Sequence, residues 1–172
     1  MSEMLVLVDE KDNQIGYEEK IKVHKNGELH RAFSIFIFNT DGEMLLQQRS
    51  KKKYHFGGLW TNACCSHPLK GEKMENALHR ELKEEMGFDT KLKESFSFLY
   101  RAEDPDSGMI EHEIDHVFVG KYDGKPIASP EEIDDWKWVK IDKLREDLKN
   151  NPEKYSPWFK IAINKFGKNM EL

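Results

Sequence analysis

Cys65 and His67 flank Ser66 just ahead of a stretch in which Glu72, Arg80-Glu81 and Glu84-Glu85 recur at helical spacing. Glu81 and Glu85 are one helical turn apart and Glu84 lies beside them, so three carboxylates project from one side of the helix. Met74, Ala77, Leu78 and Leu82 fall on the other side, where they can face a core. Clustered like charges destabilise a helix by about a few tenths of a kcal/mol per pair. A hard divalent cation offsets that repulsion, and carboxylate oxygen is the ligand Mg2+ takes from proteins. The plain alternative is a solvated acidic face. A second acidic pair, Glu111 and Glu113, alternates along a β-pattern and so shares one face of a strand. Taken alone, that pair reads as easily as the paired charges of an exposed edge.

The elements that must position these groups can be read from periodicity. Residues 5–9 form a strand and 9–14 a turn, while 18–23 is ambiguous between a short helix and an irregular lead to His24. Arg31 to Phe38 is rich in β-branched and aromatic residues and reads as a buried strand. Asn39-Thr-Asp-Gly42 is a hairpin signal, with Met44 to Arg49 returning as the partner. Residues 50–71 form a long loop carrying Lys53, Trp60, Cys65 and His67, and loops of that length inside compact domains tend to be functional. The acidic helix spans 73–86 and stops at Gly87. Strands follow at 96–102, 110–122 and 136–141, then a short helix capped by Asp142. Ser156-Pro157 opens the last helix, with proline suited to its first position. The pattern is α+β, a mixed sheet covered by helices.

Composition narrows the function classes. The chain has 172 residues, 38% of them hydrophobic, enough for one domain with a real core. No run approaches the roughly 20 apolar residues of a membrane span, and the N-terminal residues lack the pattern of a signal peptide. The expectation is a cytoplasmic protein without a membrane partner. The net charge of −5 argues against nucleic acid as a partner. Arg49, Lys51, Lys52 and Lys53 instead concentrate positive charge locally, as a small anionic ligand requires. The two cysteines are adjacent, which disfavours a disulfide between them.

The series from Ser66 to Phe88 resembles the Nudix box, G-x5-E-x7-R-E-U-x-E-E-x-G-U with U a bulky apolar residue, every fixed position matching except the first, where Ser66 replaces Gly. Beyond the box, His24, His30-Arg-Ala-Phe-Ser, Trp60-Thr-Asn-Ala-Cys-Cys-Ser-His-Pro, Tyr100-Arg-Ala, Glu111-x-Glu113 and Tyr155-Ser-Pro-Trp158 resemble the type 1 isopentenyl-diphosphate isomerases, Nudix-fold enzymes that move a double bond. The resemblance implies a single Nudix-type domain over residues 1–172, a mixed β-sheet sandwiched between α-helices, with an N-terminal extension contributing metal ligands. It implies Cys65 and Glu113 as catalytic groups, joined by the aromatic pocket residues Tyr100 and Trp158. His24, His30, His67, Glu111 and Glu113 correspond to ligands of a divalent metal, and their mixed nitrogen and oxygen donors suit Mn2+, Fe2+ or Zn2+, with Mn2+ or Zn2+ the expected ion, and not Mg2+ alone. Glu85 corresponds to the ligand of an Mg2+ shared with the diphosphate, and Lys20, Arg49 and Lys53 to its basic anchors. His55, His79, His112 and His116 are read as structural or solvated. Glu81 and Glu84 keep hydrolase-like carboxylates, so hydrolysis of a nucleoside-diphosphate-type substrate is the alternative. A diphosphate-binding regulatory module would leave the thiol without a purpose.

Overall fold

The computed structural model describes residues 2–167. The chain runs β1 (Met4–Val8), β2 (Gln14–Glu19), α1 (Lys20–Asn26), β3 (His30–Phe38) and β4 (Glu43–Arg49). The long loop then contributes two short strands, β5 (Trp60–Thr61) and β6 (Cys64–Ser66), ahead of α2 (Met74–Met86). Next come β7 (Leu92–Glu103), β8 (Ile110–Lys121), β9 (Ile133–Lys140), α3 (Ile141–Asn150) and α4 (Pro157–Phe166). The ambiguous segment before His24 is α1, closed by Gly27 at φ 68°. Among the described residues no helix is long and apolar enough to cross a membrane.

β3 organises the mixed sheet. Along one edge it pairs in parallel with β8 over its whole length, His30 opposite Glu113 through Phe38 opposite Lys121. Along the other it meets three antiparallel partners in turn: β1 at His30, β6 at Phe33 to Ile35, and β4 at Phe38 alone. The expected β3–β4 hairpin is therefore corrected. The turn at Gly42 forms, with Gly42 N–H donating to Asn39 O at 3.1 Å. Beyond Phe38–Met44 the strands part, because β6 occupies the edge of β3 while β4 pairs with β9 and β5. A segment expected as loop is thus built into the sheet, with Cys65 opposite Ser34.

Strand alternation sends successive β3 side chains to opposite cores. Phe33, Ile35 and Ile37 pack with Cys64 against Ala77, Leu78, Leu82 and Met86 of α2. Phe36 and Phe38 pack with Tyr100, Trp158, Phe159 and Leu144 toward α3 and α4. The sheet is thereby sandwiched between helices. At the start of α3 the N-cap is Lys140, which makes no side-chain cap, so Asp142 lies in the first turn and the cap assigned to it is corrected. There its carboxylate favours the helix through the dipole instead.

The box residues outside the acidic trio hold the loop to α2. Glu72 accepts from Leu69 N–H at 3.0 Å and from Arg80 Nε and Nη2 at 2.7 and 2.8 Å. Ser66 sits inside β6, a strand position with no requirement for positive φ, so glycine is dispensable there. At the other end Gly87 closes α2 at φ 71°. Ile127 and Ser129 donate their N–H groups to Met86 O and Glu85 O, at 2.9 and 2.8 Å, fixing the segment that carries Glu131 and Glu132.

Two stability predictions follow from these contacts. A Cβ at Gly87 would lie 2.7 Å from Ile127 O and 2.8 Å from Ile127 Cβ, whereas Gly42, also at positive φ, has open space. Gly42→Ala is expected to cost about 1 kcal/mol from backbone strain alone, and Gly87→Ala about 2–3 kcal/mol; equal costs by chemical denaturation would contradict the packing. The Arg80 hydrogen bonds hold the Glu72 carboxyl below its usual range despite partial burial. That contribution is complete above the unfolded carboxyl value and is lost as pH falls through the lower folded one. Glu72→Gln should therefore cost about 1 kcal/mol at pH 7, with the difference from wild type shrinking as pH falls below the unfolded carboxyl value and through the lower folded one. A pH-independent difference would show that the ion pair is not its source.

Candidate active site and metal centre

The polar residues of the site share one face of the sheet because of parity. Glu111, Glu113 and Asp115 alternate along β8, which lies between β3 and β7 and is no exposed edge. His30 stands beside Glu113 on β3, and Tyr100 beside it on β7. On β6 the same alternation sends Cys64 into the α2 core and Cys65 toward the α4 side. His67, two residues on, follows Cys65. A cavity of about 260 Å3 is lined among others by Cys65, His67, Glu113, Arg49 and Trp158 and by Glu85 of α2.

His24, His30, His67 and Glu111 bring one donor atom each to within 4.8 Å of one another, and all four are buried. Glu113 joins them through Oε2, 2.9 Å from His67 Nε2 and 3.3 Å from His30 Nε2. His24 Nδ1 is 2.7 Å from Lys20 O and His30 Nδ1 is 2.9 Å from Glu28 O. A carbonyl only accepts, so both Nδ1 atoms carry protons and both Nε2 lone pairs point at the cluster. His24 Nε2, His30 Nε2 and Glu111 Oε2 are buried without a hydrogen-bond partner. Orphaned donor atoms converging on one point fit a divalent cation, since burying them unpaired costs several kcal/mol (about 1–3 each).

Burial alone would raise both carboxyls of the cluster. His24 and His55 outweigh it and hold Glu111 well below the usual carboxylate range, while His30 and His67 lower Glu113. His67 is pushed down by burial to about 4, whereas contacts with Glu113 and Glu111 outweigh burial at His30 and raise it. Asp115 is also buried, and burial plus the Glu113 charge push it well above the usual range. Ser34 Oγ donates to its Oδ2 at 2.7 Å.

The Cys65 thiol is surrounded by hydrogen-bonding groups. It donates to Asn62 Oδ1 at 3.1 Å and accepts from the Trp158 indole N–H at 3.1 Å. Burial, with the Asp115 charge adding and Arg49 opposing, pushes it up to about 12, so it is a protonated thiol at neutral pH. Tyr100 donates its hydroxyl to Glu113 Oε1 and reaches the site through that carboxylate. The guanidinium of Arg49 lies 5.1 Å from the centre of the Trp158 ring.

Lys20, Arg49 and Lys53 also line the cavity, with Glu81, Glu84 and Glu85. Lys20 pairs with Glu3 at 2.8 Å and Lys53 with Glu132. Glu85 accepts from Gln47 Nε2 at 3.0 Å, and burial pushes its carboxyl up to about 7 against the opposing charge of Lys53. Glu81 is engaged by Arg80.

His55 corrects the sequence reading, which set it aside as structural or solvated: it is buried, its ring lies 4.9 Å from that of His24, and its Nε2 contacts Glu111 Oε1. No spacing marks it, because its place depends on the path of an irregular loop. Asp115 was also missed, although the period-two series from Glu111 through Glu113 extends to it. The other three histidines set aside do lie elsewhere: His79 on Asp89, His112 on Gly27 O, and His116 between Asp12 and Glu94.

Comparison with known proteins identifies the family and the fold. The NUDIX domain family model matches residues 28–159 and leaves β1, β2 and α1, with Lys20 and His24, outside it. The isopentenyl-diphosphate Delta-isomerase of Serratia proteamaculans is 51% identical over 169 residues, covering 98% of this chain and 94% of that one. Isopentenyl-diphosphate Delta-isomerase 2 of Photorhabdus laumondii is 53% identical over 164 residues, covering 95% and 92%. Among solved structures, DR0079 from Deinococcus radiodurans superposes with a TM-score of 0.79 over 96% of this chain and 100% of that one; at 20% identity it speaks for the fold alone. A NUDIX domain over most of the chain and near-full-length relatives at about half identity lead to one statement: the chain belongs to the isopentenyl-diphosphate Delta-isomerase family, within the Nudix fold.

Proposed function

We propose that this protein interconverts isopentenyl and dimethylallyl diphosphate, adding a proton at the terminal alkene carbon and removing one at the allylic carbon. The carrying observation is that a protonated thiol, Cys65, and a buried carboxylate, Glu113, face the same cavity. An unactivated alkene is a poor base, so the route passes through a carbocation-like intermediate. It requires a proton donor, a proton acceptor and a dry, cation-tolerant wall.

Cys65 and Glu113 are the acid-base pair. The indole of Trp158 and the amide of Asn62 hold the thiol in place, and the Tyr100 hydroxyl holds Glu113. Trp158 presents an aromatic surface worth about 2 kcal/mol or more to a desolvated cation. Lys20, Arg49 and Lys53 anchor the diphosphate, and fixing that polar end orients the short hydrocarbon. For Lys20 and Lys53 this exchanges a carboxylate partner for a phosphate one. When bound, Mn2+ or Zn2+ on His24, His30, His67, Glu111 and Glu113 would fix the Glu113 carboxylate, and Mg2+ on Glu85 would neutralise diphosphate charge. The N-terminal β1–β2–α1 segment then acts as an extension that completes the metal centre with His24. The free thiols suit a cytoplasmic setting, where they stay reduced.

One observation favours a hydrolase as second reading: Glu81, Glu84 and Glu85 all line the cavity. It leaves Cys65 and its hydrogen bonds without a role, so isomerisation is preferred.

Cys65→Ala should lower turnover by roughly 100- to 10,000-fold, the range for losing a general acid or base, with the fold intact. Cys64 is buried in the α2 core, and Cys64→Ala should leave turnover near wild type at a modest stability cost. Equal losses in the two variants, or none at Cys65, would place the thiol chemistry elsewhere.

A further inference from the structure

A fourth imidazole reaches the metal centre, and its hydrogen bonds set it apart from His24 and His30. His55 Nδ1 lies 3.5 Å from Arg49 Nη2. A guanidinium has donors only, so Nδ1 accepts and the ring proton sits on Nε2. Nε2 contacts Glu111 Oε1 and therefore donates to it. At His24 and His30 the arrangement is reversed, with Nδ1 bound to a backbone carbonyl and the Nε2 lone pair unpartnered. The orphaned oxygen of Glu111 is the other one, Oε2.

The loop is built to hold this ring. Tyr54 stacks on His55 with ring centres 4.2 Å apart and planes 4° apart, and meets His24 edge-on at 5.5 Å. Phe56 takes φ 50°, a left-handed conformation uncommon for a bulky residue. It is secured at both polar ends: its N–H donates to Asp104 Oδ2 at 3.0 Å, and its carbonyl accepts from Arg49 Nε at 3.1 Å. Arg49 Nη2 also donates to His55 O at 3.1 Å. Strain of this kind persists only where the surroundings over-determine it.

We propose that His55 is a positioning residue of the metal centre: it donates from Nε2 to Glu111 Oε1, leaves Oε2 aimed at the ion, and is not itself a ligand. Through Arg49 the same loop ties the ion-binding carboxylate to the diphosphate end of the cavity. The inference rests on the metal-centre reading above, so its test includes a variant that separates the two.

Metal-free protein would be titrated with Co2+ and followed by its visible absorption in competition with a chelator. His55→Ala should weaken Co2+ binding by about 10- to 100-fold, the range for losing such an outer hydrogen bond. Its spectrum at saturation should match wild type, since the ligands are unchanged. His55→Gln, whose amide N–H can reach the same oxygen, should recover most of the affinity. Wild-type affinity in His55→Ala would overturn the proposal. So would a saturated spectrum showing a lost ligand, or glutamine no better than alanine. If the alanine variant fails to fold, His55→Gln decides alone: binding within about threefold of wild type supports the proposal and a loss beyond tenfold overturns it. His24→Ala should abolish tight binding; unchanged Co2+ affinity there would instead remove the metal centre itself.

Discussion

Three carboxylates buried in one row of a single strand are the constraint around which the rest of the molecule is arranged. Glu111, Glu113 and Asp115 point the same way from β8, and none has more than slight access to water. Left unpaired, such charges would each cost several kcal/mol (roughly 1–3 or more). The neighbouring elements answer the three separately. Imidazoles from α1, β3 and the loops before and after β6 converge on Glu111 and Glu113. Asp115 is held by Ser34 and kept toward its neutral form by burial. The surrounding folds of chain follow from that need, with α1 returning His24 to the sheet edge and the long loop threading along β3.

The same row sets up the division of the cavity. At the sheet, Cys65 and Glu113 sit among aromatic side chains and buried polar partners, a setting suited to proton transfer in a water-poor space. Around Glu85 of α2, on which the Lys53 charge acts, the lining also includes lysine and further glutamates, which suits an anion and a hard cation together. A substrate with a charged head and a short hydrocarbon tail matches both halves. The retained Glu81 and Glu84 do not change that match, because Arg80 already engages Glu81 and Glu84 is largely exposed.

Much of this was legible before the structure. Apolar period and the αL cap at Gly87 marked α2, and the β-branched run marked β3, because both signals are local. The pairing of β3 was not legible, since partners separated by as many as about eighty residues leave no mark in a short window; a plain β3–β4 hairpin was the natural expectation. The family motifs brought out Cys65, His67, Glu111 and Glu113, and parity explains why they meet. His55 was invisible for the opposite reason: it stands on irregular backbone around Phe56, where neither helical nor strand period says which way a side chain points. Asp115 could have been read from alternation, but a carboxylate that completes no ligand motif draws no notice.

The central claim is that this site moves protons to and from carbon and leaves the diphosphate whole. Incubation with isopentenyl diphosphate in D2O, with isotopic analysis of the product beside a phosphate assay, tests it most directly. Dimethylallyl diphosphate carrying deuterium from solvent, with no inorganic phosphate released, is the result this account predicts. Unlabelled product, or phosphate released in proportion to substrate consumed, would contradict it.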